Sequence, residues 1–287
     1  MSFTVMIDGQ LVAPEHAHVS VFDRGFMYGD SVFETLRTYG GKLFALGEHL
    51  ARLERSAASV FIPLPLGLAA LEEEVLRARA AHPAAECYLR LTLTRGTGRT
   101  LGLDPELADR PLRVIVVTEL EAPPAEIYER GIAAITFRAE RPSDAPAVAA
   151  AKIGNYLIAV LAMRAARASG AREALLLDSQ GNLLEGATSN VFAVVGGKLV
   201  TPPESAPILP GITRAHVLSV ARAHGVPVEL RLFSKAELPS ASEVFICSSI
   251  RELVPVVRID GQPVGAGVPG PITRDLLRFF RESTTGA

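Results

Sequence analysis

Lys152 is followed at widening intervals by three short polar segments, Glu185-Gly186-Ala187-Thr188-Ser189-Asn190, Leu209-Pro210-Gly211-Ile212-Thr213-Arg214 and Cys247-Ser248-Ser249-Ile250. A cofactor with an aldehyde, a basic ring nitrogen and a phosphate needs an amine, a carboxylate and two backbone-rich anion cradles. This half of the chain could supply all of them. Pyridoxal phosphate chemistry is therefore the first chemistry to test on these residues.

Each residue also has an ordinary structural role. A lysine after the small residues Ala149-Ala150-Ala151 is usually a solvated surface group. As a catalyst it would be partly desolvated, which favours the neutral amine that attacks a carbonyl. Glu185 ends a strand pattern and could simply be a turn carboxylate. Held against a pyridine nitrogen, it would keep that ring protonated and able to accept electrons. Gly211-Ile212-Thr213 opens a helix pattern after Pro210, where Thr213 could act only as a cap. The same N–H groups and the positive end of the dipole bind phosphate readily. Ser248 and Ser249 follow an apolar strand and would add hydroxyls and N–H groups. Arg52 would give phosphate a charge-assisted contact, but Arg55 shares its helix and helical geometry alone does not choose between them.

The elements that must position these residues follow from turn and periodicity signals. Strands at 3–7 and 10–12 flank Asp8-Gly9, and strands at 31–39 and 42–46 flank Gly40-Gly41. Leu50, Leu53, Ala57 and Val60 predict a helix over 47–60, and a second helix spans 66–81. Strands follow at 87–94 and 112–118, then Ala122-Pro123-Pro124-Ala125 punctuates the chain. Beyond it come a strand at 132–137, a turn at 141–146, a helix at 155–168 and a meander from 174 to 201. A helix over 213–224, strands at 244–246 and 254–259 and a last helix at 273–282 complete the pattern. Strands and helices alternate irregularly, so the expectation is an α+β protein of two domains rather than a doubly wound parallel sheet. The expected domains are 1–120, a linker at 121–130, and a larger 131–287 carrying most of the candidate site.

Composition narrows the function class. The chain has 287 residues, 48% of them apolar, enough for two sizeable cores. A net charge of −2 without a dense basic stripe argues against nucleic-acid partners. Cys87 and Cys247 stand far apart with no metal-ligand spacing, so they read as reduced thiols and no metal is expected. The first residues lack the pattern of a secretory signal, and no apolar run reaches membrane-spanning length. A cytoplasmic protein without a membrane partner is the expectation.

With these residues in place, the chain resembles the fold-type IV pyridoxal-phosphate enzymes, which include branched-chain and D-amino acid aminotransferases, aminodeoxychorismate lyases and some (R)-selective amine transaminases. The resemblance covers nearly the whole chain. It is carried by the run from Phe22 to Arg37 (Phe-Asp-Arg-Gly-Phe-Met-Tyr-Gly-Asp-Ser-Val-Phe-Glu-Thr-Leu-Arg) and by His49-Leu50-Ala51-Arg52-Leu53. Thr94-Arg95-Gly96, Lys152, Glu185-Gly186, Ser189-Asn190, Pro210-Gly211-Ile212-Thr213-Arg214 and Glu252-Leu253-Val254-Pro255-Val256 continue it. The resemblance implies that Lys152 is the Schiff-base lysine and acid/base catalyst and that Glu185 holds the pyridine nitrogen. It implies phosphate binding by Arg52, Ile212, Thr213 and Ser249, with Ser248 or Ile250 as neighbours. Tyr156 resembles the tyrosine beside the cofactor's phenolic oxygen, although it stands four residues after the lysine where branched-chain enzymes usually have five. A homodimer or higher homo-oligomer is also implied.

Subfamily features disagree. Tyr88-Leu89-Arg90 resembles the Tyr-x-Arg strand of branched-chain enzymes, in which the arginine serves the distal carboxylate of glutamate. Tyr28 and Phe33 match positions that line their substrate pocket. Glu34-Thr35 and Ala187-Thr188-Ser189-Asn190 are closer to the D-amino acid and lyase branches. Arg95-Gly96-Thr97-Gly98-Arg99-Thr100-Leu101 lacks the lyase's Gly-Gly-Arg-Gly-Tyr run. It places Arg99 one gap away from a carboxylate-binding arginine of D-amino acid aminotransferases. The expected activity is transamination between an aliphatic, branched-chain amino acid and 2-oxoglutarate, both small amino or keto acids. The alternatives are pyruvate-releasing aminodeoxychorismate lyase and D-amino acid or (R)-amine transaminase.

Overall fold

A computed structural model describes residues 2–98, 100–138 and 150–285. The expected turn at 141–146 and the candidate Arg99 lie outside the described residues. The chain divides into two compact units, Met1–Glu121 with Ala151–Asn155, and Ala122–Ala150 with Tyr156–Ala287.

In the first unit, β1 (Phe3–Ile7), β2 (Gln10–Val12), β3 (Ser31–Tyr39), β4 (Lys42–Leu43), β5 (Cys87–Gly98) and β6 (Ala108–Glu119) form one sheet in the order β2-β1-β6-β5-β3-β4. Among the described residues its strands pair antiparallel throughout. Asp8 and Gly9 both take positive φ, the conformation a two-residue hairpin needs, and Gly40-Gly41 repeats it. The expected strand at 42–46 stops at Leu43, because Ala45 turns left-handed and Leu46 begins a helix.

The helices α1 (Arg24–Tyr28), α2 (Leu46–Ser59) and α3 (Leu68–Ala80) accompany this sheet. Alternation on β5 turns Cys87, Leu89, Leu91 and Leu93 into the core with Leu50, Leu53 and Ala57 of α2 and Leu71, Val75 and Ala78 of α3. Each such leucine contributes about 1.5–3 kcal/mol by leaving water. Tyr88 and Arg90 consequently stand on the opposite face of β5.

Ala151–Asn155 was expected in the second domain but packs in the first unit. The reason is backbone pairing. Ile153 bridges Val32, the Phe33 N–H donates to the Lys152 carbonyl, and the Gly154 N–H donates to Ser31. The expected linker also takes sides, since α4 (Glu126–Glu129) buries Ile127 in the core of the second unit.

The second unit contains β7 (Ile132–Arg138), β8 (Glu173–Leu177), β9 (Asn182–Gly186), β10 (Ser189–Val195), β11 (Lys198–Thr201), β12 (Val228–Leu230), β13 (Phe233–Ser234), β14 (Ala241–Ser248), β15 (Glu252–Ile259) and β16 (Gln262–Pro263). Its sheet runs β12-β11-β10-β14-β15-β7-β8-β9-β13, and a further β9–β10 pairing closes the six strands from β10 round to β9 into a ring. Closure removes exposed edges and gives the strands a common interior. Leu175, Leu177, Leu183, Val191, Ala193, Val244, Ile246, Val254 and Val256 fill the resulting core. The helices are α5 (Leu157–Ala168), α6 (Ile212–Ala223) and α7 (Pro271–Thr285). Ala162 and Ala166 of α5 pack with Ala174 and Leu176 of β8. Both cysteines are free and buried.

Candidate active site

Two adjacent stripes of α2 are buried. Leu46, Leu50, Leu53 and Ala57 join the core, while His49, Arg52 and Ser56 form a polar stripe. Glu34, fully buried on β3, faces that polar stripe. Its Oε1 accepts from Arg52 Nε at 2.8 Å, and its Oε2 accepts from Arg52 Nη2 at 2.6 Å and bonds His49 Nδ1 at 2.7 Å. Burial alone would raise the Glu34 pKa, but the Arg52 and His49 bonds and the Arg52 charge outweigh it and bring it to about 2. Burial lowers the His49 pKa; Glu34 opposes this, and the charges of Arg52 and Lys152 add to it. The ring is thus neutral, and an ionised Glu34 requires the His49 proton on Nδ1. Arg52 is held from β3, whereas Arg55 points to solvent, a difference that helical spacing did not disclose.

Lys152 sits on the strap beside β3. Its backbone N–H donates to Ser56 Oγ at 3.1 Å, and its carbonyl accepts from Phe33. The Lys152 amine lies 4.6 Å from the Phe33 ring centroid, and the Arg90 guanidinium lies 3.7 Å from the same centroid. Phe33 is itself buried, so its ring is a fixed apolar surface within reach of both groups. Tyr88 is on the same face of β5 as Arg90, opposite Arg37 of β3.

Tyr28 is placed elsewhere in this unit. It ends α1 and, with Phe22, Met27, Thr97, Leu101 and Leu107, lines a cavity of about 500 Å³ that Phe33, Arg90 and Lys152 do not line. Arg24 shapes this cavity, donating through Nε to Asp30 and through its terminal nitrogens to the carbonyls of Gly102, Leu103 and Asp104.

In the second unit Glu185 lies on β9, opposite Asn190 of β10. The two side chains grip one residue: Glu185 Oε2 accepts the Leu209 N–H at 3.0 Å, and Asn190 Nδ2 donates to the Leu209 carbonyl at 2.9 Å. This grip aims Leu209-Pro210-Gly211 into α6. Gly211, not Thr213, is the N-cap, and no side chain caps the helix. A Cβ on Gly211 would overlap Asn190 Oδ1, so only glycine leaves this N-terminus open. Ile212 and Thr213 form the first turn, whose N–H groups and dipole suit an anion. Ser248 ends β14 and Ser249 opens the following turn, where Ser248 Oγ accepts the Arg251 N–H at 3.3 Å. Tyr156 precedes the first turn of α5.

Taken unit by unit, the donors are of the kinds pyridoxal phosphate needs: in the first an amine on a tethered strap, in the second a carboxylate near a strand end and a helix N-terminus whose cradle a Cβ would fill. Among the described residues no group of three or more His, Cys, Asp or Glu could hold a metal ion. The sequence reading named Glu34, His49 and Asn190 only within motifs and gave them no role as partners, and it did not name Ser56. Their signal, polar residues on buried stripes of an amphipathic pattern, appears only once the faces are assigned.

A family model for class IV amino-transferases matches residues 31–259. A Methanocaldococcus jannaschii protein provisionally named a branched-chain-amino-acid aminotransferase is 40% identical over 284 residues, covering 98% of this chain and 96% of the relative. D-alanine aminotransferase of Bacillus licheniformis is 34% identical over 284 residues, covering 97% of this chain and 96% of the relative. A T.th. branched-chain amino acid aminotransferase with pyridoxamine 5'-phosphate superposes with a TM-score of 0.91 at 31% identity, and its complex with N-(5'-phosphopyridoxyl)-L-glutamate with 0.89 at 32%. Each superposition covers 99% of this chain and 94% of the other. The chain belongs to the class IV aminotransferases, two-domain α+β enzymes of fold type IV, a family that implies pyridoxal phosphate.

Proposed function

We propose that this transaminase moves an amino group between an aliphatic, branched-chain amino acid and 2-oxoglutarate, with pyridoxal 5'-phosphate attached through Lys152. The observation that carries this reading is the buried Phe33 ring, whose centroid lies 4.6 Å from the Lys152 amine and 3.7 Å from the Arg90 guanidinium. An amine that handles the reacting carbon and a receptor for a carboxylate then flank one apolar ring, which suits an aliphatic side chain. The M. jannaschii relative and the phosphopyridoxyl-glutamate complex support the same donor pair.

Bound pyridoxal phosphate supplies an aldehyde for the amine and a ring that withdraws electrons from the substrate Cα. Lys152 holds the cofactor and then moves a proton at that carbon. Glu185 keeps the ring nitrogen protonated. Arg52, Ile212, Thr213, Ser248 and Ser249 bind the phosphate, and Tyr156 stands by the phenolic oxygen. Arg90, with Tyr88, orients substrate carboxylates and side chain. A homodimer is part of this reading, supported by the exposed Phe22, Phe26, Leu101 and Leu103 of the first unit and Leu157 and Val160 of the second. No helix among the described residues is long and apolar enough to cross a membrane, and a cytoplasmic location is part of the proposal.

A panel of L- and D-amino acids and (R)- and (S)-amines with 2-oxoglutarate tests the assignment. Glutamate formed from L-leucine, L-isoleucine and L-valine is the expected result. The D-alanine aminotransferase relative favours a second reading, D-amino acid transamination, which turnover of D-amino acids alone would establish. Pyruvate release without any keto-acid acceptor would replace both with the lyase. Borohydride reduction of the loaded enzyme should fix the cofactor to Lys152 and leave Lys152→Ala unlabelled.

A further inference from the structure

Glu173 opens β8 and is completely buried, yet it has no part in the site described above. Its Oε2 accepts from Arg251 Nη2 at 2.6 Å and from Ser189 Oγ at 3.0 Å, and its Oε1 accepts from the Ala174 N–H at 3.0 Å. Arg251 Nη2 also donates to Thr188 Oγ1 at 2.8 Å. The Arg251 carbonyl accepts from Tyr128 Oη at 3.1 Å, and its N–H closes onto Ser248 Oγ. One buried carboxylate therefore ties Thr188 and Ser189, just beyond Glu185, to the turn at 249–251, which carries Ser249. A buried carboxylate without partners is costly, so the connection holds as long as the cation is present.

We infer that Glu173 and Arg251 are a positioning pair that sets the Ser248-Ser249 turn and thereby how firmly the cofactor's phosphate is held. The inference rests on the reading that these serines take the phosphate. Neither residue of the pair touches the reacting atoms. The pair acts by fixing hydroxyl and N–H directions at a turn that lacks a strand ladder of its own.

The test compares pyridoxal 5'-phosphate with pyridoxal, which has the same ring and aldehyde but no phosphate. In Glu173→Gln one amide oxygen replaces an acceptor pair on which three donors converge, so a donor loses its partner whichever way the amide turns. The variant should bind pyridoxal 5'-phosphate at least tenfold more weakly while its Kd for pyridoxal stays within about twofold. Equal losses for both ligands, or no loss, would overturn the pair's role. Thr188→Val removes only the hydroxyl that orients Arg251 and leaves the buried charges paired. It should lower the preference for the phosphorylated ligand about threefold, and it decides the matter if Glu173→Gln does not fold. An unchanged preference in Thr188→Val also overturns the inference. A wild-type chain that binds the two ligands equally well would instead sink the phosphate-site reading itself.

Discussion

Ser56 Oγ accepts the backbone N–H of Lys152 at 3.1 Å, so a helix more than ninety residues upstream fixes the strap that carries the amine. The same helix presents Arg52 and His49 to Glu34. One face of α2 thus sets both the candidate phosphate arginine and the backbone of the candidate catalytic lysine.

Ser56→Ala should free one end of the strap. A buried N–H left without an acceptor costs about 1–3 kcal/mol, and the amine loses a constraint on its approach. The expected outcome is a drop of about that size in urea-unfolding stability with a several-fold lower kcat and little change in affinity for the cofactor's phosphate. Equilibrium unfolding and steady-state kinetics on the same preparation check it.

Acid should expose the Glu34 pair. The carboxyl titrates near 2 in the folded chain against an ordinary value of 4.5. A depressed carboxylate pKa stabilises the fold above the unfolded value, and that contribution is lost as pH falls from 4.5 toward 2. The contribution is on the order of 3 kcal/mol. Glu34→Gln should be less stable at neutral pH by about 3–5 kcal/mol, because it leaves the Arg52 cation buried without its partner. Its stability should then fall less between pH 5 and 3 than that of the wild type, as urea midpoints across that range will show.

Arg90→Met keeps an apolar stem on Phe33 and removes the guanidinium. A lost charge-assisted contact of about 1.5–3 kcal/mol predicts a KM for 2-oxoglutarate and glutamate raised roughly 10–100-fold. kcat/KM for an amino acid with an aliphatic side chain should change much less. Two-substrate kinetics that show equal losses for both would remove Arg90 from distal-carboxylate recognition.

Gly211→Ala introduces a clash rather than backbone strain, since φ is −69° and any residue tolerates it. The new Cβ would overlap Asn190 Oδ1 and push the Leu209 grip away from the α6 N-terminus. Pyridoxal 5'-phosphate affinity should fall roughly tenfold or more. The double variant with Asn190→Ala should recover part of the loss, a non-additivity expected when two side chains compete for one space.

Much of the fold was legible because its signals are local. Ser31–Tyr39 matched its expected bounds, and α2 and α5 fell within two residues of theirs, because hairpin glycines and leucine spacing act over a single turn. The short α1 carries no such period, and its start depends on Asp23 accepting the Gly25 N–H. Lys152 and Glu185 stood out by residue type. The groups that hold Arg52, the Lys152 strap and the Leu209 segment did not, because Glu34, Ser56 and Asn190 are ordinary polar letters until their faces are known.

Residue types, turns, periodic segments and the order of the polar motifs can be read along the chain, since each depends on neighbours a few positions apart. That Arg52 rather than Arg55 meets Glu34, that the Lys152 strap pairs with β3 and that Glu173 finds Arg251 emerge in the folded chain. Those outcomes depend on which buried polar groups can satisfy one another across long stretches of chain. That is a question of packing and desolvation, which local spacing does not encode.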